Sequence, residues 1–242
     1  DGDVVFRLTV KEQSQLDFLL NLKESYEKYD FWTDLSTKRP VDIRVTSSAV
    51  EETRKLFEEN GLEYRVMIEN VQTLIDRERE AINLRAKNKN TLPNNKIDET
   101  YYETYHTYEE NMEWLKDLVG LYPNRTELIQ VGETYEGRPL TAVRVTSPNS
   151  LDKKKPIIWI NAGIHAREWI GPATLLYILG HFCTDYSNDT QIKSILDQAD
   201  LYVLPMFNVD GYVYTWETDR MWRKTRRPNS DVGSDCYGTD AN

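Results

Sequence analysis

The stretch Ile157–Leu176, IIWINAGIHAREWIGPATLL, limits the fold more than any other part of the chain. Ile157, Ile158, Trp159 and Ile160 have the length and β-branching of a buried strand, and Gly163 ends the run. Pro172 suits the first position of a following helix, with Leu175, Leu176 and Leu179 on its apolar face. His165 and Glu168 therefore fall at a strand-to-helix junction, at the carboxyl end of a central strand, where open α/β sheets place their ligands. An imidazole nitrogen and a carboxylate oxygen from one short loop suit a zinc ion, and a third protein ligand would leave one position for water. The spacing alone equally describes a surface histidine beside a solvated glutamate. Arg167 between the two and Trp169 behind them make a polar cluster where a structural junction would favour apolar residues.

The first 70 residues alternate regularly. Val4–Val10 reads as a strand, Gln13–Tyr26 as a helix with Leu16, Leu19 and Leu20 inward, and Phe31-Trp32 as a short strand. Val41–Thr46 is another strand. Ser48 with Glu51 forms a capping box that opens a helix closed by Gly61, and Leu62–Ile68 is the last strand. The order βαββαβ predicts a ferredoxin-like, split-βαβ unit. Asn70 to about Lys87 reads as one long solvated helix. The polar, basic segment RAKNKNTLPNNK, Arg85–Lys96, is the natural domain boundary, either a plain linker or an exposed site for proteolysis.

Beyond the boundary, Thr107 and Glu110 form a second capping box ahead of a helix through Met112, Leu115 and Leu118. Leu128–Val131 and Leu140–Thr146 are strands around a hairpin signal at Glu136-Gly137. Lys153–Lys155 reads as a solvated loop, and Leu201–Met206 as an apolar strand ending in the polar loop 208–211. Strands alternating with helices predict a mixed or parallel sheet with helices on both faces.

At this point the chain resembles the metallocarboxypeptidases of the carboxypeptidase A and B type. The resemblance rests on GIHAREW after a buried strand, with YHTYEENMEWLKDL (105–118), VGETYEGRP (131–139), NVDGY (208–212), RMWRKT (220–225) and GTDAN (238–242) in the family's order. It implies one zinc ion per chain, held by His165 and Glu168. It implies that Arg167 contacts the substrate backbone and that Arg223 stabilises the oxyanion of the tetrahedral intermediate. Asp240 would orient the zinc histidine, and Asn242 would help hold the substrate's terminal carboxylate. Residues 1–97 resemble the family's activation domain and residues 98–242 the N-terminal part of its α/β catalytic domain. A trypsin-like protease would then cut at Arg85, Lys87, Lys89 or Lys96. The second zinc histidine, the general-base Glu and the specificity pocket are expected beyond Asn242, so these 242 residues alone are expected to be inactive. His106 and His181 carry no catalytic expectation.

Composition narrows the partners. A net charge of −10 argues against a nucleic-acid surface, and the basic cluster Arg220–Arg227 suits a small anion instead. No stretch has the roughly 18 uncharged apolar residues of a membrane span. An Asp at position 1, the sequons at Asn124 and Asn188 and the resemblance together predict a secreted, extracellular, monomeric zymogen acting on peptide and protein C-termini. Cys183 and Cys236 are the only cysteines; they are free to pair or stay reduced, and the resemblance pairs Cys236 with a cysteine further along. The rival expectation is a non-catalytic peptide- or carboxylate-binding protein of the same fold that lacks the downstream general base.

Overall fold

The computed structural model describes residues 2–87, 99–229 and 236–241. Lys89, Lys96 and Asn242 lie outside the described residues, as does the side chain of Lys87. The chain divides into two compact units, residues 1–87 and 88–242.

The first unit runs β1 (Val4–Thr9), α1 (Gln13–Lys23), β2 (Tyr29–Phe31), β3 (Val41–Val45), α2 (Val50–Glu59), β4 (Glu63–Ile68) and α3 (Val71–Lys87). Its four strands form an antiparallel sheet in the order β2-β3-β1-β4, the split-βαβ arrangement that the alternation predicts. Phe6, Leu8, Ile43 and Phe57 are fully enclosed, and Phe6 meets Phe57 and Tyr64 edge-on at 5.6 and 5.4 Å. Each such ring pair adds about 0.5–1.5 kcal/mol beyond its burial.

Several local expectations for this unit need correction. Helix α1 ends at Lys23, and Leu20 faces solvent while Leu19 is buried. The short strand sits at Tyr29–Phe31 rather than 31–32. The capping box of Ser48 and Glu51 does not form, because a 3-10 turn over Ser47–Ala49 moves the helix start to Val50. Gly61 does close α2, with φ +61° and the bond Leu62 N→Phe57 O at 2.9 Å.

The second unit contains α4 (Tyr108–Leu121), β5 (Thr126–Glu133), β6 (Pro139–Val145), β7 (Ile157–Asn161), α5 (Ile170–Thr184), α6 (Thr190–Gln198), β8 (Asp200–Leu204) and α7 (Val209–Glu217). Its mixed sheet has the order β5-β6-β8-β7: β5-β6 and β6-β8 are antiparallel and β7-β8 is parallel. The hairpin turns at Gly137, whose φ of +80° suits a residue without a Cβ. Thr107 and Glu110 form the expected capping box on α4. The core joins Val143, Val145, Leu201 and Val203 of the sheet to Leu115 and Leu118 of α4, Leu175 and Leu179 of α5 and Leu196 of α6. The helices that contribute to this core pack on one face of the sheet.

Two expectations for this unit change, those for Pro172 and Lys155. Among the described residues β7 is the last strand of the sheet, and Ile157, Ile158 and Trp159 are 61%, 41% and 45% exposed. Among the described residues only β8 pairs with β7. Pro172 is the third residue of α5, not the first; it is still within the first turn, where a missing N–H leaves no helical bond unmade. Lys155 is not simply solvated: its ammonium donates to Thr146 Oγ1, Ser147 Oγ and Leu196 O at 2.9, 2.7 and 2.7 Å. No helix among the described residues is long and apolar enough to cross a membrane.

Cys183 and Cys236 are both unbridged, and burial pushes the Cys183 thiol up to about 12 against a smaller lowering by Arg125. Cys183 is therefore expected to resist alkylation at pH 8 in the folded chain and to react fully on unfolding, as read by mass spectrometry. In denaturant unfolding of the 242-residue chain, Leu179→Ala is expected to cost about 2–5 kcal/mol and Ile157→Ala less than about 0.5. Equal losses would mean that β7 is covered.

Candidate functional site

Strand β7 hands the chain to the site through one glycine. Gly163 has φ +69°, and a Cβ there would approach Pro172 Cγ at 3.2 Å and the Met206 backbone at 3.6 Å. Two successive turns follow, closed by Glu168 N→His165 O at 3.2 Å and Gly171 N→Glu168 O at 3.1 Å. They bring the side chains at i and i+3 together, so His165 Nδ1 lies 2.9 Å from Glu168 Oε1. The other ring nitrogen, His165 Nε2, is buried and 3.3 Å from Asp240 Oδ1, at ion-pair distance but at an angle that makes no hydrogen bond. Arg223 Nε donates to Asp240 Oδ2 at 3.0 Å, and Arg223 Nη1 lies 3.7 Å from Glu168 Oε1. One imidazole, two carboxylates and one guanidinium thus converge from segments 165–168, 223 and 240.

Aromatic packing fixes the back of this loop. Trp169 is buried, stacks on Trp216 at 4.2 Å and donates from Nε1 to Thr215 Oγ1 at 2.8 Å. The Arg220 guanidinium lies 3.6 Å from the Trp169 ring centre and donates to Arg167 O at 2.9 Å. Arg226 rests on Tyr214 at 3.7 Å and Trp222 at 4.5 Å. The basic cluster that reads as an anion site therefore holds two of its guanidiniums on aromatic faces. Arg167 donates to Met221 O at 3.3 Å, tying it to the segment around 220.

The donor chemistry fits zinc as far as two ligands go. Atoms 2.9 Å apart share positions about 2 Å from both, the usual Zn–N and Zn–O distance. A carboxylate facing the second ring nitrogen is the usual support of a metal-bound histidine. Among the described residues no group of three or more His, Cys, Asp or Glu side chains is arranged to hold a metal ion. His106 is occupied elsewhere: it stacks on Tyr101 at 3.7 Å, with Nε2 2.9 Å from Tyr101 O. His181 lies 2.7 Å from Asp185 Oδ2 at the end of α5.

Sequence reasoning missed Asn208. It is buried, caps α7 and lies against the loops on both sides of the site, as described below. The available signal was an Asn just ahead of a helical run, which marks an N-cap and nothing more.

Comparison with known proteins places these features. Residues 111–242 match the family profile for zinc carboxypeptidases and residues 6–78 the profile for the carboxypeptidase activation peptide. The chain belongs to the zinc carboxypeptidase family. Carboxypeptidase A2 of Mus musculus is 35% identical over 243 residues, covering 100% of this chain and 55% of that protein. A crystal structure of thrombin activatable fibrinolysis inhibitor superposes with a TM-score of 0.81 at 31% identity, over 100% of this chain and 58% of that one. The carboxypeptidase A of Helicoverpa armigera gives 0.85 at 26% identity, over 100% and 57%. The chain therefore spans about half the length of the curated relatives it matches. Membership of this family implies a zinc ion as cofactor.

Removing the aromatic support is the direct test of how the loop is held. Trp169→Ala is expected to cost about 3–5 kcal/mol in denaturant unfolding, the range for a large aromatic deleted from a packed site. A loss below about 1 kcal/mol would mean that the stack with Trp216 contributes little.

Proposed function

We propose that the chain is part of a secreted zymogen of a zinc exopeptidase that hydrolyses the C-terminal peptide bond of peptides and proteins. The observation that carries this reading is the pair His165 Nδ1 and Glu168 Oε1, 2.9 Å apart, with Arg223 beside the carboxylate and Asp240 behind the ring. Residues 1–97 would form the activation domain and residues 98–242 the first part of the catalytic domain. The match of residues 6–78 to the activation-peptide profile supports that division.

In this reading His165 and Glu168 hold one zinc ion per chain, together with a ligand from the remainder of the protein. Zinc bound there would supply Lewis acidity and an activated water. Asp240 faces Nε2 at 3.3 Å, where its carboxylate would favour the proton on that nitrogen and leave Nδ1 as the lone-pair donor. Arg223 supplies a permanent positive charge beside the pair, suited to an oxyanion developing on the scissile carbonyl. Arg167 and Asn242 would contact the substrate, Arg167 at its backbone and Asn242 at its terminal carboxylate.

Activation would follow cleavage by a trypsin-like protease at Arg85, Lys87, Lys89 or Lys96. Arg85 and Lys87 end helix α3, and a protease takes its substrate extended, so a cut there requires the last turn to unwind. The partners are peptide C-termini and the activating protease, with no nucleic-acid or membrane role and a monomeric state.

The full-length protein is expected to contain about one zinc per chain by elemental analysis and to release C-terminal residues only after trypsin treatment. Glu168→Gln is expected to lose the zinc. Arg223→Lys is expected to keep it while kcat falls about 10²–10³-fold with KM little changed. A zinc-free protein would sink the reading. Zinc without activity on cleavage would favour a peptide-binding protein of the same fold.

A further inference from the structure

We propose that Asn208 is the positioning residue that sets the zinc loop against the arginine loop, an inference that rests on the metallopeptidase reading. Its side-chain amide makes three hydrogen bonds in a buried place. Oδ1 accepts from Gly211 N at 3.1 Å, while Nδ2 donates to Ile164 O at 3.1 Å and to Lys224 O at 3.0 Å. Ile164 precedes His165 and Lys224 follows Arg223. The two protons of one planar amide therefore fix the backbone next to a proposed ligand and next to the proposed oxyanion cation. A direct bond, Ala166 N→Arg223 O at 3.0 Å, joins the same two loops, and Asn208's own N–H donates to Gly163 O at 3.0 Å.

A helix cap does not require an asparagine. Asp, Ser or Thr would accept from Gly211 N equally well. Only the amides of Asn and Gln combine an acceptor with two donors, and Gln is one methylene too long to cap in the same place. Asp would turn an anionic oxygen toward two carbonyl oxygens, and Ser has one donor on a shorter stem. Asn208 is buried, and the helix packs closely against its amide. A Cβ on Gly211 would lie 2.6 Å from Asn208 Nδ2, 2.7 Å from Oδ1 and 2.8 Å from Ala166 Cβ. The glycine after the cap therefore makes room for the amide and for the zinc loop.

The neighbouring Asp210 provides the contrast. It is also buried on α7, but its carboxylate faces the hairpin, accepting from Thr134 Oγ1 at 2.7 Å, Glu136 N at 3.0 Å and Arg138 Nη1 at 2.7 Å. Losing it should loosen the hairpin and leave the two site loops joined.

The experiment uses the full-length protein with Asn208→Asp, Asn208→Ser and Asp210→Asn. Zinc affinity is measured by chelator competition, thermal stability alongside it, kcat and KM after activation, and exchange of the Ala166 amide by NMR. Both Asn208 variants are expected to bind zinc about 10–100-fold more weakly. They should lower kcat more than KM and exchange the Ala166 amide at least about tenfold faster. Asp210→Asn is expected to lower Tm without changing zinc affinity or that exchange rate. Wild-type zinc affinity and exchange in a folded Asn208 variant would overturn the proposal. So would an equal loss of zinc affinity in Asp210→Asn, or failure of both Asn208 variants to fold, since the residue would then serve the fold and not the site. A zinc-free wild type would sink the metal reading alone, and the Ala166 exchange rate would still decide this one.

Discussion

The parallel pairing of β7 with β8 is the constraint on which the site depends. Its register runs from Ile157 opposite Asp200 to Asn161 opposite Leu204. It does not stop at the strand ends. Ala162 N→Leu204 O, Phe207 N→Ala162 O and Asn208 N→Gly163 O, at 3.2, 2.9 and 3.0 Å, carry the backbone contact into the two exit loops. Parallel strands leave from the same edge of a sheet. The loop bearing His165 and Glu168 and the loop bearing Asn208 and Asp210 are therefore neighbours by construction. Because β6 runs antiparallel to β8, the turn before β6 reaches that edge too, and Asp210 takes hold of it through Thr134, Glu136 and Arg138.

The opposite edge is closed by buried charge. Arg144, near the end of β6, gives Asp200 two hydrogen bonds of 3.0 and 2.6 Å across the β6-β8 pair and a third, of 2.9 Å, to Leu151 O. Replacing such a pair with apolar residues is often neutral or stabilising, so net stability does not explain it. Register does. A slip of one residue would turn either Val143 and Val145 or Leu201 and Val203 out of the core and leave an unpaired buried charge. With Arg144–Asp200 at one edge and Arg138–Asp210 at the other, the pairing that delivers the site loops is pinned at both ends by an ion pair with a buried carboxylate.

What could be read from the sequence was what short-range chemistry decides. The Thr107–Glu110 box and the glycine turns at 61 and 137 formed as expected because each depends on a few adjacent backbone groups. The βαββαβ order followed from hydrophobic period together with the helix-end signals around Ser48 and Gly61. The Ser48 box failed where a competing 3-10 turn at the same residues won. At the site, His165 and Glu168 were legible as a pair because three residues separate them. Arg223 and Asp240 reach them only through tertiary structure, and no spacing rule could assign them; the family resemblance did. Asn208 carries a cap signal that conceals its other two bonds.

The polar site also has an apolar condition. Glu168 is half exposed, and among the described residues its side chain is held only by the bond to His165 and the charge of Arg223. The next residue is different. Trp169 is buried, with Trp216 parallel to its ring at 4.2 Å, Arg220 centred on its face at 3.6 Å and its only donor spent on Thr215. Turning Glu168 away by backbone rotation would have to withdraw that indole from a stack, a cation–π contact and a hydrogen bond at once, a loss of several kcal/mol. A carboxylate that must stay within reach of its imidazole partner is thus held by the ring beside it in sequence. That is why helix α7, which supplies Trp216 and Thr215 at one end and is capped by Asn208 at the other, organises the site from behind while contributing no residue to the pair itself.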